Sequence, residues 1–369
     1  MGLAENYNMI KVSISWQLFH KPIKTILSIS NILFLLISTP FTNYLIHIHG
    51  LIIVNYLDSE KYAYLKHAPI NEESSVPIID LSAPNVVALV GNACQVWGMF
   101  HVINHGVSSS LVDDVDSRAR QLFSLSTQQK LKTLRAPGGA TGYGAARISP
   151  FFSKLMWHEG FTIIGSAVEH AKELWPHDYE EFCNVMDIYQ KKMKSLAYQI
   201  LLLILKFLDT TQEKEEKMIS TTSIYGSEGA LQLNSYPCCP DPNRAIGLAP
   251  HTDSLLLTIL HQSETNGLQI HRNGVGWLPV PPVSGALVVN IGDLLHIMSN
   301  GRFPTVYHRV VPNQNKHRIS IAYFYGPPAD SIVGPLSKLP FPRYRSLTVK
   351  EYISLKSKHL ERALSLIKI

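Results

Sequence analysis

The sequence lacks the short motifs that mark several common enzyme classes. Its four cysteines form no C-x-x-C pair, which argues against a zinc ribbon and against a thioredoxin-like redox site. The glycine-rich stretch APGGATGYGAARISP contains neither the GK(S/T) ending of a phosphate loop nor G-x-G-x-x-G, so we expect no nucleotide site there. H-E-x-x-H and the P-C-x-x-C signature of zinc deaminases are absent too.

Charged residues are also scarce. Asp, Glu, Lys and Arg make up 17% of the 369 residues, and the net charge is only +5. Lys and Arg are scattered without a long basic run, so we expect no nucleic-acid partner. With few cysteines and no disulfide pattern, the protein is expected to be cytoplasmic with reduced thiols.

The N-terminal part is unusual because it contains no charged residue between Lys24 and Asp58. This stretch is long enough to cross a bilayer, which leaves open a membrane anchor through residues 25–57. Pro40 and the polar residues Asn43, His47 and His49 interrupt the stretch and argue against such an anchor. A signal peptide is disfavoured because the apolar stretch begins late and lacks an obvious cleavage site. We therefore expect residues 1–57 to lie outside the native fold.

The rest of the chain contains one long helical pattern followed by many strand-like segments. Apolar residues recur every three or four positions from Phe182 to Phe207, which predicts a helix over 176–208 that packs on a sheet. From Ala230, short apolar segments separated by Pro and Gly indicate a sandwich or barrel. These segments are ALQLNSY, SLLLTIL, GLQIH, GWLPV, ALVVNIG, HRVV and RISIAYFY. Residues 346–366 predict a closing helix.

The stretch LAPHTDSLLLTIL places His251 and Asp253 two residues apart beside a predicted strand. Strand side chains alternate, so this spacing directs both groups to the same face. Two histidines and one carboxylate form the facial triad of non-haem Fe(II) oxygenases, so a second histidine is needed. The downstream candidates are His261, His271, His296, His308 and His317. His308 is favoured because it opens the strand HRVV.

A second spaced pair, Arg318 and Ser320, lies on one face of the predicted strand RISIAYFY. A guanidinium beside a hydroxyl suits a carboxylate ligand. A buried arginine needs an anion, which the cosubstrate 2-oxoglutarate can supply, and Tyr236 could add a third donor. Each spaced pair is common by chance, but the combination on successive strands favours a metal-dependent oxygenase.

From about residue 76 to its end, the chain resembles the plant Fe(II)- and 2-oxoglutarate-dependent dioxygenases, and most of all the gibberellin 3-beta-hydroxylases (gibberellin 3-beta-dioxygenases). The resemblance is carried by stretches such as VPIIDL, RISPFFSKLMWHEGF, LQLNSYPCCPDP, GLAPHTDSLLLTIL and LVVNIGDLLHIMSNGRFPTVYHRV. It implies a mainly β fold with flanking helices around a double-stranded β-helix, or jelly roll. It also implies hydroxylation of carbon 3, on the beta face, of a gibberellin, a small diterpenoid acid. Fe(II) would be the cofactor, 2-oxoglutarate and O2 the cosubstrates, and ascorbate a supporting reductant.

The resemblance also implies roles for individual residues. Three positions match the iron ligands of the family: His251, Asp253 and His308. Three match the groups that hold the distal carboxylate of 2-oxoglutarate: Arg318, Ser320 and Tyr236. Asn234 matches an asparagine in or beside the same pocket. For the gibberellin itself, Phe324 could pack on the ring system and Arg147 could pair with its carboxylate, although core packing and a loop salt bridge remain equally open for them.

These observations predict four regions: an atypical segment 1–57, an α/β region 58–225 with the long helix, a jelly-roll core 226–330, and a helical region 331–369. We expect a monomer. The iron site does not separate a gibberellin 3-beta-hydroxylase from a sister enzyme such as a gibberellin 2-oxidase or a flavonoid oxygenase. A non-catalytic jelly-roll binding protein is a further alternative, but it would not need the carboxylate fork of Arg318 and Ser320.

Overall fold

Two β-sheets that face each other form the centre of the protein. The computed structural model describes residues 75–153, 156–208, 229–336 and 341–369. The described strands are β1 (Ile78–Asp80), β2 (Met99–Ile103), β3 (Gly142–Gly144), β4 (Glu159–Ile164), β5 (Ala230–Tyr236), β6 (Leu248–His251), β7 (Leu257–Gln262), β8 (Leu268–Arg272), β9 (Gly276–Pro279), β10 (Leu287–Ile291), β11 (His308–Val310), β12 (Arg318–Tyr325), β13 (Ile332–Val333) and β14 (Leu347–Thr348).

The larger sheet has eight strands in the order β1-β2-β10-β7-β12-β5-β4-β3, and the smaller has four in the order β6-β11-β8-β9. Neighbouring strands are antiparallel except for the parallel pair β1 and β2. Side chains from both sheets share one apolar cluster, which includes Leu260 and Ala322 from the larger sheet and Ile270 and Val310 from the smaller. The site described below lies beside this inner cluster.

Helices flank the sheets, and the longest of them packs on the outer face of the larger sheet. They are α1 (Val86–Val96), α2 (Ser109–Ser124), α3 (Thr127–Leu131), α4 (Val168–Leu174), α5 (Tyr179–Phe207), α6 (Asp293–Met298) and α7 (Val349–His359). Ser108 is the N-cap of α2, because its hydroxyl accepts a hydrogen bond from the amide of Leu111. The long helix α5 buries residues such as Met186, Met193 and Ile200 in the outer core, as the periodicity predicts.

Period-two alternation on β12 separates the outer core from the inner site. Ile319, Ile321 and Tyr323 point into the core beneath the helices. Arg318 and Ser320 alternate with these residues and therefore point to the inner face between the two sheets. The strand thus places polar groups inward without exposing them, since both of these side chains are almost fully buried.

The predicted mainly β fold with flanking helices is confirmed, and two local predictions are corrected. The strand predicted from Ser254 begins only at Leu257, because β6 ends at His251 and a connecting segment follows. The closing helix predicted to residue 366 ends at His359, because Leu360 adopts a positive φ of 45° and short 3-10 turns follow.

The predicted anchor or non-native segment 1–57 lies outside the described residues, and the four-region division stays a prediction. Within the described ranges, no helix is both long enough and apolar enough to span a bilayer.

Candidate active site

Three potential metal ligands converge between the ends of β6 and β11. His308 and His251 are direct partners in the antiparallel pairing of these strands, and their ring centroids lie 4.3 Å apart. Asp253 lies two residues beyond His251, past the end of the strand. Its Oδ1 lies 3.9 Å from Nε2 of each histidine. One ligand atom from each of the three residues falls within 4.8 Å of the others, so a single ion can be shared among them.

Hydrogen bonds on the far side of each ring orient both histidines. Nδ1 of His251 donates to the Ala249 carbonyl at 2.8 Å, and Nδ1 of His308 donates to the Val306 carbonyl at 3.0 Å. With the proton held on Nδ1, each Nε2 keeps a lone pair directed at the centre of the cluster. Backbone acceptors of this kind set the tautomer of metal-binding histidines in many proteins.

The Asp253 carboxylate is fixed by one oxygen and free at the other. Its Oδ2 accepts hydrogen bonds from the Thr258 hydroxyl at 2.7 Å and from the Asn290 amide at 3.3 Å. Oδ1 faces the histidines. Sequence reasoning did not identify Thr258 and Asn290, whose positions on β7 and β10 become adjacent only through sheet pairing.

The electrostatics of the cluster favour a divalent cation. Burial, followed by the neighbouring His308 ring, lowers the pKa of His251 to about 3, so this imidazole is neutral at pH 7. Burial alone would raise the pKa of the Asp253 carboxyl. The facing His308 and His251 rings, together with the hydrogen bonds from Thr258 and Asn290, instead hold that pKa below its usual value. A neutral His251 imidazole beside an ionised Asp253 carboxylate matches part of the donor set of non-haem iron sites.

Arg318 provides the second feature of the site, a buried cation that lacks an anion. Its side chain is 1% exposed, and its Nε and Nη1 have no hydrogen-bond partner within the described residues. Nη2 donates to the Gln262 side chain at 3.3 Å. A Cβ at Gly267 would lie 2.9 Å from Cδ of Arg318, so the glycine leaves room for the guanidinium. A buried charge with unused donors needs a negatively charged ligand.

The other predicted cosubstrate residues surround Arg318 on the inner face. Strand register places Tyr236 opposite Arg318 and Asn234 opposite Ser320. The guanidinium carbon of Arg318 lies 5.1 Å from the centre of the Tyr236 ring. All four residues are buried. The inner face thus carries one buried polar group, called the polar wall below, formed by Arg318, Ser320, Tyr236 and Asn234.

His158 belongs to this polar wall and was not singled out by sequence reasoning. Its Nε2 lies 3.0 Å from Oδ1 of Asn234, and its ring centre lies 5.1 Å from that of Tyr236. Burial lowers the pKa of His158 to about 4, so the neutral ring can donate from Nε2 to the Asn234 carbonyl oxygen. Nothing in the local sequence signals this, because it follows from the pairing of β4 with β5.

The two weaker candidates lie on different elements. Phe324 is partly buried on the inward face of β12 and packs against the inner apolar cluster. Arg147 is exposed in the loop after β3, where it donates to the Ala140 carbonyl. The four other histidines considered as ligands are engaged elsewhere: His261 lies near Asp116, His271 beside Trp277, His296 bonds Tyr344, and His317 bonds Ser235.

Comparison with protein families and known proteins agrees with this geometry. Residues 227–327 match the 2OG-Fe(II) oxygenase superfamily, and residues 76–180 match the family described as non-haem dioxygenase in morphine synthesis N-terminal. Fold and site therefore define a 2-oxoglutarate-dependent non-haem iron oxygenase, a class that uses Fe(II) and 2-oxoglutarate.

Similar curated proteins indicate the family within this superfamily to which the chain belongs. The chain is 50% identical to gibberellin 3-beta-dioxygenase 1 of Pisum sativum over 300 residues, which cover 80% of each protein. It is 45% identical to gibberellin 3-beta-dioxygenase 2 of Arabidopsis thaliana over 80% of this chain and 86% of the relative. The chain belongs to the gibberellin 3-beta-dioxygenase family of this superfamily.

Solved structures share the fold. JOX2 in complex with 2OG, Fe and JA superposes with a TM-score of 0.69 at 29% identity, over 80% of this chain and 92% of that one. The rice dioxygenase for auxin oxidation gives a TM-score of 0.67 at 26% identity, over 80% of this chain and all of that one.

Proposed function

We propose that this protein hydroxylates carbon 3 of a gibberellin precursor on the beta face and so produces a bioactive gibberellin. One atom of O2 enters the product, and the other enters succinate as 2-oxoglutarate loses carbon dioxide. The observation that carries the proposal is the pairing of a two-histidine, one-carboxylate cluster with a buried, anion-free arginine inside a protein of this family. Ascorbate supports the reaction by keeping iron reduced.

The metal ligands in this proposal are Nε2 of His251, Oδ1 of Asp253 and Nε2 of His308. Iron bound there supplies the oxidative chemistry that decarboxylates 2-oxoglutarate and breaks the substrate C–H bond. The protein orients the three ligand atoms through hydrogen bonds to the other polar atom of each side chain. It also holds both rings in the tautomer that leaves Nε2 free, through the backbone carbonyls that accept from Nδ1.

The cosubstrate pocket is the polar wall that begins with Arg318. In the proposal, Nε and Nη1 of Arg318 donate to the distal carboxylate of 2-oxoglutarate, and the hydroxyls of Ser320 and Tyr236 donate beside them. Asn234 lies at the edge of the pocket with its side-chain oxygen held by His158. Binding of the dianion would compensate the buried positive charge, so the pocket strongly favours a dicarboxylate over a neutral ligand.

The gibberellin side of the site is proposed from Phe324 and Arg147. Phe324 offers an aromatic surface on the inner face for the apolar rings. Arg147 lies close enough to Arg135 that the two guanidiniums interact. Burial and this neighbour lower the pKa of Arg135. Within the described part of the chain, no carboxylate forms an ion pair with either group. A substrate carboxylate would relieve this repulsion between like charges.

Product analysis tests the proposal directly. Purified protein is incubated with Fe(II), 2-oxoglutarate, O2 and a gibberellin that lacks the 3-hydroxyl, and products are identified by mass spectrometry and NMR. We expect one 3-beta-hydroxylated product for each succinate. A hydroxyl at carbon 2, or turnover only with a flavonoid, would assign the protein to a sister activity. Absence of succinate under all conditions would favour a non-catalytic binding protein.

The proposed working unit is a cytoplasmic monomer in which regions 58–225, 226–330 and 331–369 cooperate. In this division the long helix α5 supports the sheet, and the jelly-roll region supplies the metal and cosubstrate residues. The C-terminal region contributes α7.

A further inference from the structure

A buried ion pair joins the C-terminal helix α7 to the segment that carries the metal ligands. Nζ of Lys356 lies 2.6 Å from Oδ2 of Asp293, and both side chains are almost fully buried. The same ammonium also donates to the Thr252 hydroxyl. Thr252 is the residue between His251 and Asp253, so a helix near the end of the chain directly contacts the proposed metal segment.

Asp293 is the centre of this network. Its carboxylate accepts hydrogen bonds from Tyr352 at 2.7 Å, from Thr305 at 2.7 Å and from Thr252 at 3.2 Å, in addition to the ion pair. Tyr352 and Lys356 are four residues apart, so they lie on one face of α7. The two of them project from α7 onto a single carboxylate.

The backbone of Asp293 completes the link to the metal ligand. Its amide donates to the carbonyl of Asp253 at 2.8 Å, and the next amide, of Leu294, donates to the carbonyls of Ser254 and Leu255 at 3.2 Å each. The segment 253–255, which follows β6, is thus hydrogen-bonded to the first residues of α6. Because β6 ends at His251, sheet pairing does not hold Asp253 in place, and these bonds do so instead.

Stability alone does not explain a buried ion pair at this place. A buried lysine and aspartate are costly to desolvate, and an apolar pair of similar volume often stabilises a fold equally well. An apolar pair would lack the ammonium that donates to the Thr252 hydroxyl and the carboxylate that accepts from Thr252, Thr305 and Tyr352. The network therefore suits a role in orientation.

We propose that Lys356 is a positioning residue for the metal site, and that metal binding and docking of helix α7 stabilise each other. The inference rests on the proposed assignment of His251, Asp253 and His308 as metal ligands. Because coupling between two events is reciprocal, a network that prepares the site for metal must also make α7 more stable when metal binds.

Two measurements on the full chain test this. The first is Mn(II) affinity, from the electron paramagnetic resonance signal of free Mn(II), in the wild type, Lys356→Met and Thr252→Val. The matched control is Lys358→Met, which removes an exposed lysine from the same helix. The second is amide hydrogen exchange of residues 349–359 in the wild type with and without Mn(II), which needs no variant to fold.

We expect Lys356→Met to weaken Mn(II) binding at least about 10-fold, which is the lower end for groups that orient metal ligands. Thr252→Val should weaken it less and Lys358→Met not at all. Exchange in α7 should slow when Mn(II) binds. Wild-type Mn(II) affinity in a folded Lys356→Met protein, or unchanged exchange in α7, would overturn the coupling. If wild type itself bound no Mn(II), the ligand assignment would fail instead.

Discussion

Replacing Arg318 with methionine should have opposite effects on cosubstrate binding and on the stability of the ligand-free protein. The side chain is 1% exposed, and two of its three nitrogens have no partner in the described residues. Methionine has a similar length and no charge. The substitution therefore removes donors intended for 2-oxoglutarate and, at the same time, relieves a buried charge without an anion.

The expected loss of 2-oxoglutarate affinity follows from the number of hydrogen bonds that the substitution removes. Two hydrogen bonds from a guanidinium to a carboxylate contribute about 1.5–3 kcal/mol each, or about 3–6 kcal/mol together. At about 1.4 kcal/mol per tenfold, this weakens 2-oxoglutarate binding roughly 100-fold to 10,000-fold. The ligand-free protein loses one bond from Nη2 to Gln262, worth about 1 kcal/mol, and the contact with the Tyr236 ring, worth about 0.5–2 kcal/mol. It no longer buries a charge without an anion, so its stability should change little or rise.

Isothermal titration with 2-oxoglutarate in the presence of Mn(II), together with thermal unfolding without ligands, measures both effects. Arg309→Met is the matched control. Arg309 is equally buried, but its Nε donates to Gln269 at 2.8 Å and its guanidinium lies over Trp277. This control should be destabilised and should bind 2-oxoglutarate normally. If Arg318→Met kept an affinity within about threefold of wild type, the assigned role would be refuted.

Three further predictions concern other parts of the chain. Alanine at His251, Asp253 or His308 should abolish succinate formation and weaken Mn(II) binding more than about 100-fold, since even groups behind metal ligands cost 10- to 100-fold; near-normal succinate release by any one variant would remove that residue from the cluster. Burial lowers the pKa of His158 from 6.5 to about 4, so as the pH falls the unfolded chain takes up this proton before the folded protein does. The contribution of His158 to stability is complete above pH 6.5 and falls by about 3 kcal/mol as the pH drops to 4. Denaturant unfolding of His158→Gln should lose correspondingly less over this window, and an identical pH profile would contradict that cause. Removal of residues 1–57 should leave the specific activity at least equal to that of the full chain, and loss of succinate formation would show that the segment is needed.

The strands with clear alternation could be predicted closely from the sequence. The boundaries of β5 and β12 agree with ALQLNSY and RISIAYFY, because alternate residues meet an apolar helix layer on one side and the inner site on the other. That alternation is sufficient by itself to place Arg318 and Ser320 on the same face of β12. The register between the strands, which brings Tyr236 opposite Arg318, depends on pairing between segments that are about 80 residues apart, and no local pattern encodes it.

Features that depend on distant segments could not be predicted. Asp253 was expected to share a strand face with His251, but it lies in a connection whose shape is set by the amide of Asp293. A single sequence does not show such a contact across 40 residues. Likewise, Lys356 lies in a charged helix, where lysines normally face solvent, and its burial becomes apparent only from its contact with Asp293.

The most direct test of the central claim is X-ray anomalous diffraction at the iron edge, on crystals grown without oxygen in Fe(II) and 2-oxoglutarate. The account predicts one strong anomalous peak within bonding distance of Nε2 of His251, Oδ1 of Asp253 and Nε2 of His308. It also predicts 2-oxoglutarate density that ends at the guanidinium of Arg318. An iron peak bound by other residues, or no peak among these three side chains, would contradict the account.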